Sequence, residues 1–140
     1  MKLLATQAGN FQRLNALQVM ENLMQSFPQI DGVMAANDAM AIGAIEALEA
    51  ANRKAIVVGI NGTKEAVDAV KAGKLLASGQ ADPFMQGCLG TIIAIRTLRK
   101  QVVPTEMFLK PSVIDASNFK EFDKPVEARA CPKWEDMATN

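Results

Sequence analysis

The chain is predicted to be an α/β protein, a parallel sheet between two layers of helices in a three-layer α/β/α arrangement. Three observations predict it. Short β-type runs alternate with helical patterns along most of the 140 residues, which is the signature of successive βαβ units. The clearest strand, Ala55 to Ile60, is a continuous apolar run suited to a sheet covered on both sides. Capping and stopping residues stand at the junctions between these runs.

The elements follow in order. Leu3 to Thr6 reads as a first strand, and Asn10 as the N-cap of a helix beginning at Phe11. Ala16, Met20, Leu23, Met24 and Phe27 form the apolar face of that helix. Pro28 ends it, because the residue before a proline disfavours the α region. Val33 to Ala36 reads as a second strand, and Asn37-Asp38 opens a helix with a stripe of Ala41, Ala44, Ile45 and Leu48. After the strand at Ala55 to Ile60, Asn61-Gly62-Thr63 is a turn. Thr63 caps a helix running through Val70 and stopping at Gly73. Leu75 to Ser78 is a fourth strand, and Asp82-Pro83 starts a long helix to about Leu98, with proline well placed in the first turn. Beyond Lys100 the rhythm changes. Val102-Val103-Pro104 is a connector, Met107 to Leu109 a further strand, and Val113-Ile114 a short apolar pair. From Ser117 an irregular tail is expected, with Trp134 as its large anchor. The domain reading is therefore a lobe over residues 1–115, with its long helix over 83–100, and a tail over 116–140.

Composition removes several function classes. An apolar content of 49%, a charged content of 21% and a formal net charge of zero are those of a soluble globular protein. No basic run is present, so no nucleic-acid partner is expected. No apolar stretch is long enough to span a bilayer. The start at Met1 reaches Gln7, Gly9 and Asn10 too soon for a secretory signal. Histidine and tyrosine are absent. That removes the commonest general acid/base and any Ser-His or Cys-His pair, so no enzyme and no catalytic residue is expected. Asp31, Asp38 and Asp82 lack metal-ligand or glycosidase spacing, so no metal site is expected. Gly59 to Lys64 misses the spacing of a phosphate loop, and no Gly-x-Gly-x-x-Gly follows the first strand, so no cofactor is expected. Cys88 and Cys131 are too far apart in sequence for a zinc cluster. Two buried thiols and one disulfide both fit them, the compartment deciding.

In an open parallel sheet, ligands bind beyond the carboxyl ends of the strands. The residues just past the predicted strands are Gln7 through Phe11, Asn37-Asp38, Asn61 and Gln80. Neutral amides both donate and accept, which suits hydroxyl groups that do the same. A phenyl face suits the C–H side of a sugar ring. Each residue also has a plainer role: Asn37 as a helix cap, Asn61-Gly62 as a turn, Phe11 as core, Gln80 as an exposed loop residue. Their shared edge is what favours a small, uncharged, polyhydroxylated ligand.

The same residues carry a resemblance. Ala5-Thr6-Gln7-Ala8-Gly9-Asn10-Phe11-Gln12-Arg13, Phe27-Pro28, Asn37 through Ala44, Val57 through Thr63, and Gly73 through Ala77 resemble, in that order, the ribose-binding family of periplasmic sugar-binding proteins of ABC importers. The resemblance covers about residues 1 to 115. It implies a flavodoxin-like single lobe, the carboxyl-terminal one, of a type I periplasmic binding protein whose two lobes close around a sugar by hinge motion. It implies that Phe11 stacks on the sugar, that Asn37, Asn61 and Gln80 bond its hydroxyls, and that Ile60 lines the pocket. The family usually has Asp where this chain has Asn61. An amide accepts fewer hydroxyls than a carboxylate, so another pentose, a hexose or a polyol fits as well as ribose.

The resemblance further implies an ABC permease as partner and a periplasmic full-length parent, this chain being a truncated half without an export signal. In such a parent the helix from Pro83 to Leu98 packs on the other lobe. Here its face of Phe84, Cys88, Ile92, Ile95 and Leu98 is expected to fold onto the chain's own sheet or to form a homodimer. In an oxidising compartment, Cys88 and Cys131 are expected to form a disulfide that pins the tail. Two rival readings remain. The effector-binding part of a sugar-responsive transcription regulator needs an amino-terminal helix-turn-helix segment, which this chain does not carry. A flavodoxin-like signalling or flavin domain needs a phosphate loop after the first strand, which Gln7-Ala8-Gly9-Asn10 does not supply.

Overall fold

A computed structural model describes residues 1–80, 82–109, 111–125 and 128–137. Its elements are α1 (Arg13–Ser26), β1 (Gly32–Met34), α2 (Asp38–Ala50), β2 (Ile56–Ile60), α3 (Lys64–Lys71), β3 (Ala77–Gln80), α4 (Pro83–Leu98), β4 (Ser112–Asp115), α5 (Phe119–Phe122) and α6 (Trp134–Met137). They divide into two compact units, Met1–Ala81 with Ser112–Asp123, and Asp82–Pro111 with Lys124–Asn140.

The first unit is built on a four-stranded sheet in the order β1-β2-β3-β4. β1, β2 and β3 run parallel, with Val33 opposite Val57 and Gly59 opposite Ser78. β4 joins antiparallel, placing Ile114 opposite Ser78 and Ser112 opposite Gln80. The α/β class expected from the sequence is what forms, as a mixed rather than an all-parallel sheet. The apolar pair Val113-Ile114 is the centre of that antiparallel strand.

Strand periodicity places Val57, Gly59, Ser78 and Ile114 on one face, where all four are buried. α2 packs on β1 and β2, α3 on β3 and β4, and α1 on α2. The core behind that face joins Met20, Ala35, Ala41, Ala44, Ile45, Leu48, Val57, Val70 and Leu75. On the opposite face Met34, Ile56, Ile60 and Val113 are exposed, and the helices of this unit pack on the other face.

Close approach and capping fix the helices. A Cβ on Gly43 of α2 would lie 2.1 Å from the Arg13 carbonyl oxygen of α1, so only glycine lets these two backbones meet. At the other end of α1, the Arg53 guanidinium donates to the carbonyls of Met24, Phe27 and Pro28, satisfying acceptors that a helix end leaves open. Thr63 caps α3 by accepting from the Ala66 amide, as the sequence predicted.

Three expectations change. Leu3 to Thr6 is not a strand, and its Leu3 and Leu4 are exposed; a strand needs a partner to bond to, and this segment is not among the four strands of the sheet. α1 begins at Arg13 after Gln12, not after Asn10, because Asn10 and Phe11 both adopt positive φ. Met107 to Leu109 is irregular, while the tail holds the short helices α5 and α6.

In the second unit, Pro83 occupies the first turn of α4 and the Asp82 side chain accepts from the Met85 amide. Cys88 and Cys131 are joined by a disulfide, with their Cα atoms 5.6 Å apart. The Arg96 guanidinium lies 4.3 Å from the centroid of the Trp134 ring, within cation–π range. Of the face expected to bury itself, Cys88 is buried with its neighbour Leu89, while Ile95 and Leu98 stay exposed. Among the described residues no helix is long and apolar enough to cross a membrane.

Candidate functional site

Asn37, Ile60, Asn61 and Gln80 stand at or just past the carboxyl ends of β1, β2 and β3, and hydrogen bonds tie the Phe11 segment to Asn37 and the end of β2 to the end of β3. Asn37, three residues past β1, does two things. Its Oδ1 accepts from the Met40 amide at 2.8 Å and caps α2, and its Nδ2 donates to the Phe11 carbonyl at 3.1 Å. The capping role and a bond to the segment of Phe11 therefore coexist in one side chain. The second bond holds the Asn10-Phe11 turn against the start of α2. Phe11, at φ 58° and 69% exposed, turns its ring outward instead of into the core.

The neighbouring position follows β2. Ile60 is its last residue and is 44% exposed. Asn61 comes next, with φ 128°, a positive value that costs a non-glycine residue of order 1–3 kcal/mol unless its surroundings fix it. They do. The Asn61 amide donates to the Gly79 carbonyl at 2.8 Å, which joins the end of β2 to the end of β3. The Asn61 side chain makes no hydrogen bond among the described residues, so its amide keeps two donors and a two-lone-pair acceptor. Gln80 ends β3, and its Oε1 accepts from the Ser112 hydroxyl at 2.5 Å.

Beneath this edge lies a buried polar group, formed by Asp38 at the opening of α2 and Ser78 in β3. Asp38 is 1% exposed and Ser78 is fully buried. The Ser78 hydroxyl donates to Asp38 Oδ1 at 2.6 Å, and the Thr63 amide donates to Asp38 Oδ2 at 2.8 Å. The Gly62 amide donates to Ser78 Oγ at 3.0 Å. Gly59 makes room for the carboxylate: a Cβ there would lie 2.5 Å from Asp38 Oδ1. Ser112 and Ser78 carried no signal in the sequence, since serines in short runs give no hint of partners 32 or 40 residues away.

Paired surface charge stands at the flank. Arg13 pairs with Glu46 and Glu65 on the surface beside the start of α1. The Arg13 hydrogen bond holds the Glu46 carboxyl below its ordinary value, with slight burial opposing, and the same bond raises the Arg13 guanidinium. Among the described residues no group of three or more Cys, Asp or Glu side chains stands close enough to hold a metal ion. The candidate residues at this edge are thus one phenyl, one aliphatic side chain and three neutral amides.

Known proteins are similar to this chain in sequence and fold. The model of a family described as periplasmic binding protein domain matches residues 1–101. The ribose import binding protein of Haemophilus influenzae is 39% identical over 111 residues, which cover 79% of this chain and 38% of that protein. A periplasmic solute-binding protein of an ABC transporter from Actinobacillus succinogenes, solved with bound D-allose, superposes with a TM-score of 0.82 at 34% identity. The match covers 86% of this chain and 43% of that one. A solute-binding protein of an ABC transporter from Bacillus halodurans, solved with bound myo-inositol, gives a TM-score of 0.83 at 31% identity, over 87% of this chain and 43% of that one. The chain spans less than half the length of these proteins.

Proposed function

The chain belongs to the periplasmic binding protein domain family, a family of sugar-binding solute carriers and not of enzymes, and from that premise we propose that it binds a small neutral sugar or polyol at the edge formed by Phe11, Asn37, Ile60, Asn61 and Gln80. Binding involves no chemistry. Phe11 covers the C–H face of the ring, the amides of Asn37, Asn61 and Gln80 exchange hydrogen bonds with hydroxyls, and Ile60 supplies an apolar wall. The observation that carries this reading is the bonded chain from the Phe11 carbonyl through Asn37, and from Asn61 across to β3, which brings the segments to one sheet end. The exposed Phe11 ring and the Asn61 side-chain amide, which makes no hydrogen bond among the described residues, support the role together.

The biological role follows the family. The chain acts as part of the solute-binding component of an ABC importer and passes its ligand to a membrane permease. Its full-length parent works in the periplasm, a compartment in which a Cys88–Cys131 disulfide persists. The exposed Ile95 and Leu98 of α4 support a homodimer through the helix over 83–98. Calorimetric titration with D-ribose, D-allose and myo-inositol tests the reading. Saturable binding of at least one, weakened at least about tenfold by Asn61→Ala through loss of hydrogen bonds to ligand, is expected. Binding of none of the three contradicts it.

A further inference from the structure

Resting on that sugar-site reading, we infer that Asp38 and Ser78 are positioning residues: a buried pair that fixes the backbone of Asn61-Gly62-Thr63 and so sets how the Asn61 amide meets the ligand. Buried as they are, neither reaches a ligand itself. Their effect runs through the loop. Three consecutive loop amides are each bonded to a separate acceptor: Asn61 to the Gly79 carbonyl, Gly62 to the Ser78 hydroxyl, and Thr63 to the Asp38 carboxylate. The Ser78 hydroxyl closes the network by donating to the same carboxylate.

Such an arrangement over-determines the loop. A carboxylate is costly to bury unless its oxygens are bonded, and an apolar pair could fill the same space without that cost. What an apolar pair could not do is accept bonds from Gly62 and Thr63. The backbone this network holds carries the φ of 128° at Asn61, a conformation that persists only where surroundings enforce it. Its product is a side chain with no internal partner among the described residues, presented beside Gln80 at the end of the neighbouring strand. Glycine at position 59 admits the carboxylate to its place.

The test uses the whole 140-residue chain, at a temperature where circular dichroism shows each variant fully folded. The probe is whichever of D-ribose, D-allose and myo-inositol binds the wild type most tightly. Ser78→Ala is expected to weaken binding about tenfold, the scale of coupling within one hydrogen-bond network. Asp38→Asn, which keeps one acceptor oxygen, is expected to weaken it about threefold by the same reasoning. A purely structural pair would lower the melting temperature and leave affinity in the folded state within twofold, and that result overturns the inference while the sugar site stands. Failure of the wild type to bind any of the three sugars overturns both. Should a variant not fold, amide exchange of the wild type decides. The Gly62 and Thr63 amides are expected to exchange at least about a hundredfold more slowly than an open loop, and exchange at open-loop rates removes the inference.

Discussion

The two units of this chain hold themselves together by different means. The first buries Val57, Leu75, Ile114 and the alanine-rich face of α2 behind a sheet, each large aliphatic side chain contributing about 1.5–3 kcal/mol. In the second, Cys88 and Leu89 are the buried apolar side chains among the described residues. A disulfide and an arginine stacked on tryptophan stand there in place of a core. Small units with little to bury commonly rely on such staples. The difference also bears on function, because the candidate ligand residues all sit on the unit with the interior. A site built from loops keeps its geometry only where rigid elements anchor it.

Changes to each unit should separate the two modes. The largest effect is expected in the first: Leu75→Ala opens a cavity in the core and should cost about 2–5 kcal/mol in urea unfolding, with ligand affinity lost as the sheet loosens. Next comes the disulfide. Replacing Cys88 and Cys131 together with serine should destabilise the second unit by about 2–4 kcal/mol. Trp134 is the chain's single tryptophan, so its fluorescence reports that unit, and it should change at lower denaturant while the far-ultraviolet dichroism of the sheet persists. A single coincident transition by both probes would break the comparison.

A smaller effect is expected at Asn37→Ala, which removes the cap of α2 and frees the Phe11 carbonyl. It should cost about 1 kcal/mol and should weaken sugar binding more than that stability loss explains. The smallest belongs to the Arg13–Glu46 pair, which lies on the surface. Glu46→Gln should change stability by at most about 0.5 kcal/mol. Because the folded-state value of Glu46 is depressed, its contribution is present above the ordinary value of 4.5 and disappears as pH falls below it. The wild type and the variant should therefore converge in acid, and also at high salt.

Legibility in the sequence followed local signal strength. The run ending at Ile60, the cap at Thr63 and the Asp82-Pro83 start announce β2, α3 and α4 because each rests on residues adjacent in the chain. Leu3 to Thr6 carried the same kind of β signal, yet propensity makes a strand only where a partner strand offers hydrogen bonds. β4 was nearly silent, since two apolar residues are too few to show a period. Of the candidate site residues, Asn37 and Asn61 could be picked out because they follow strands, and Gln80 because it stands at the end of one. Phe11 followed an expected strand that does not form, and Ile60 came from the family resemblance. The network beneath them could not be picked out. Asp38 at the first position of a helix reads as helix-end charge, and its bonds to Ser78 and Thr63 exist only once the sheet brings distant segments together.

One sheet edge is expected to receive a neutral sugar or polyol. Two-dimensional amide NMR of the labelled chain, titrated with D-ribose, D-allose and myo-inositol, tests it most directly. At least one of them is expected to shift the Asn37, Asn61 and Gln80 side-chain amides and the Phe11 and Gly62 backbone amides together, along a single saturable curve. Shifts confined to other residues, or none with any of the three, would contradict it.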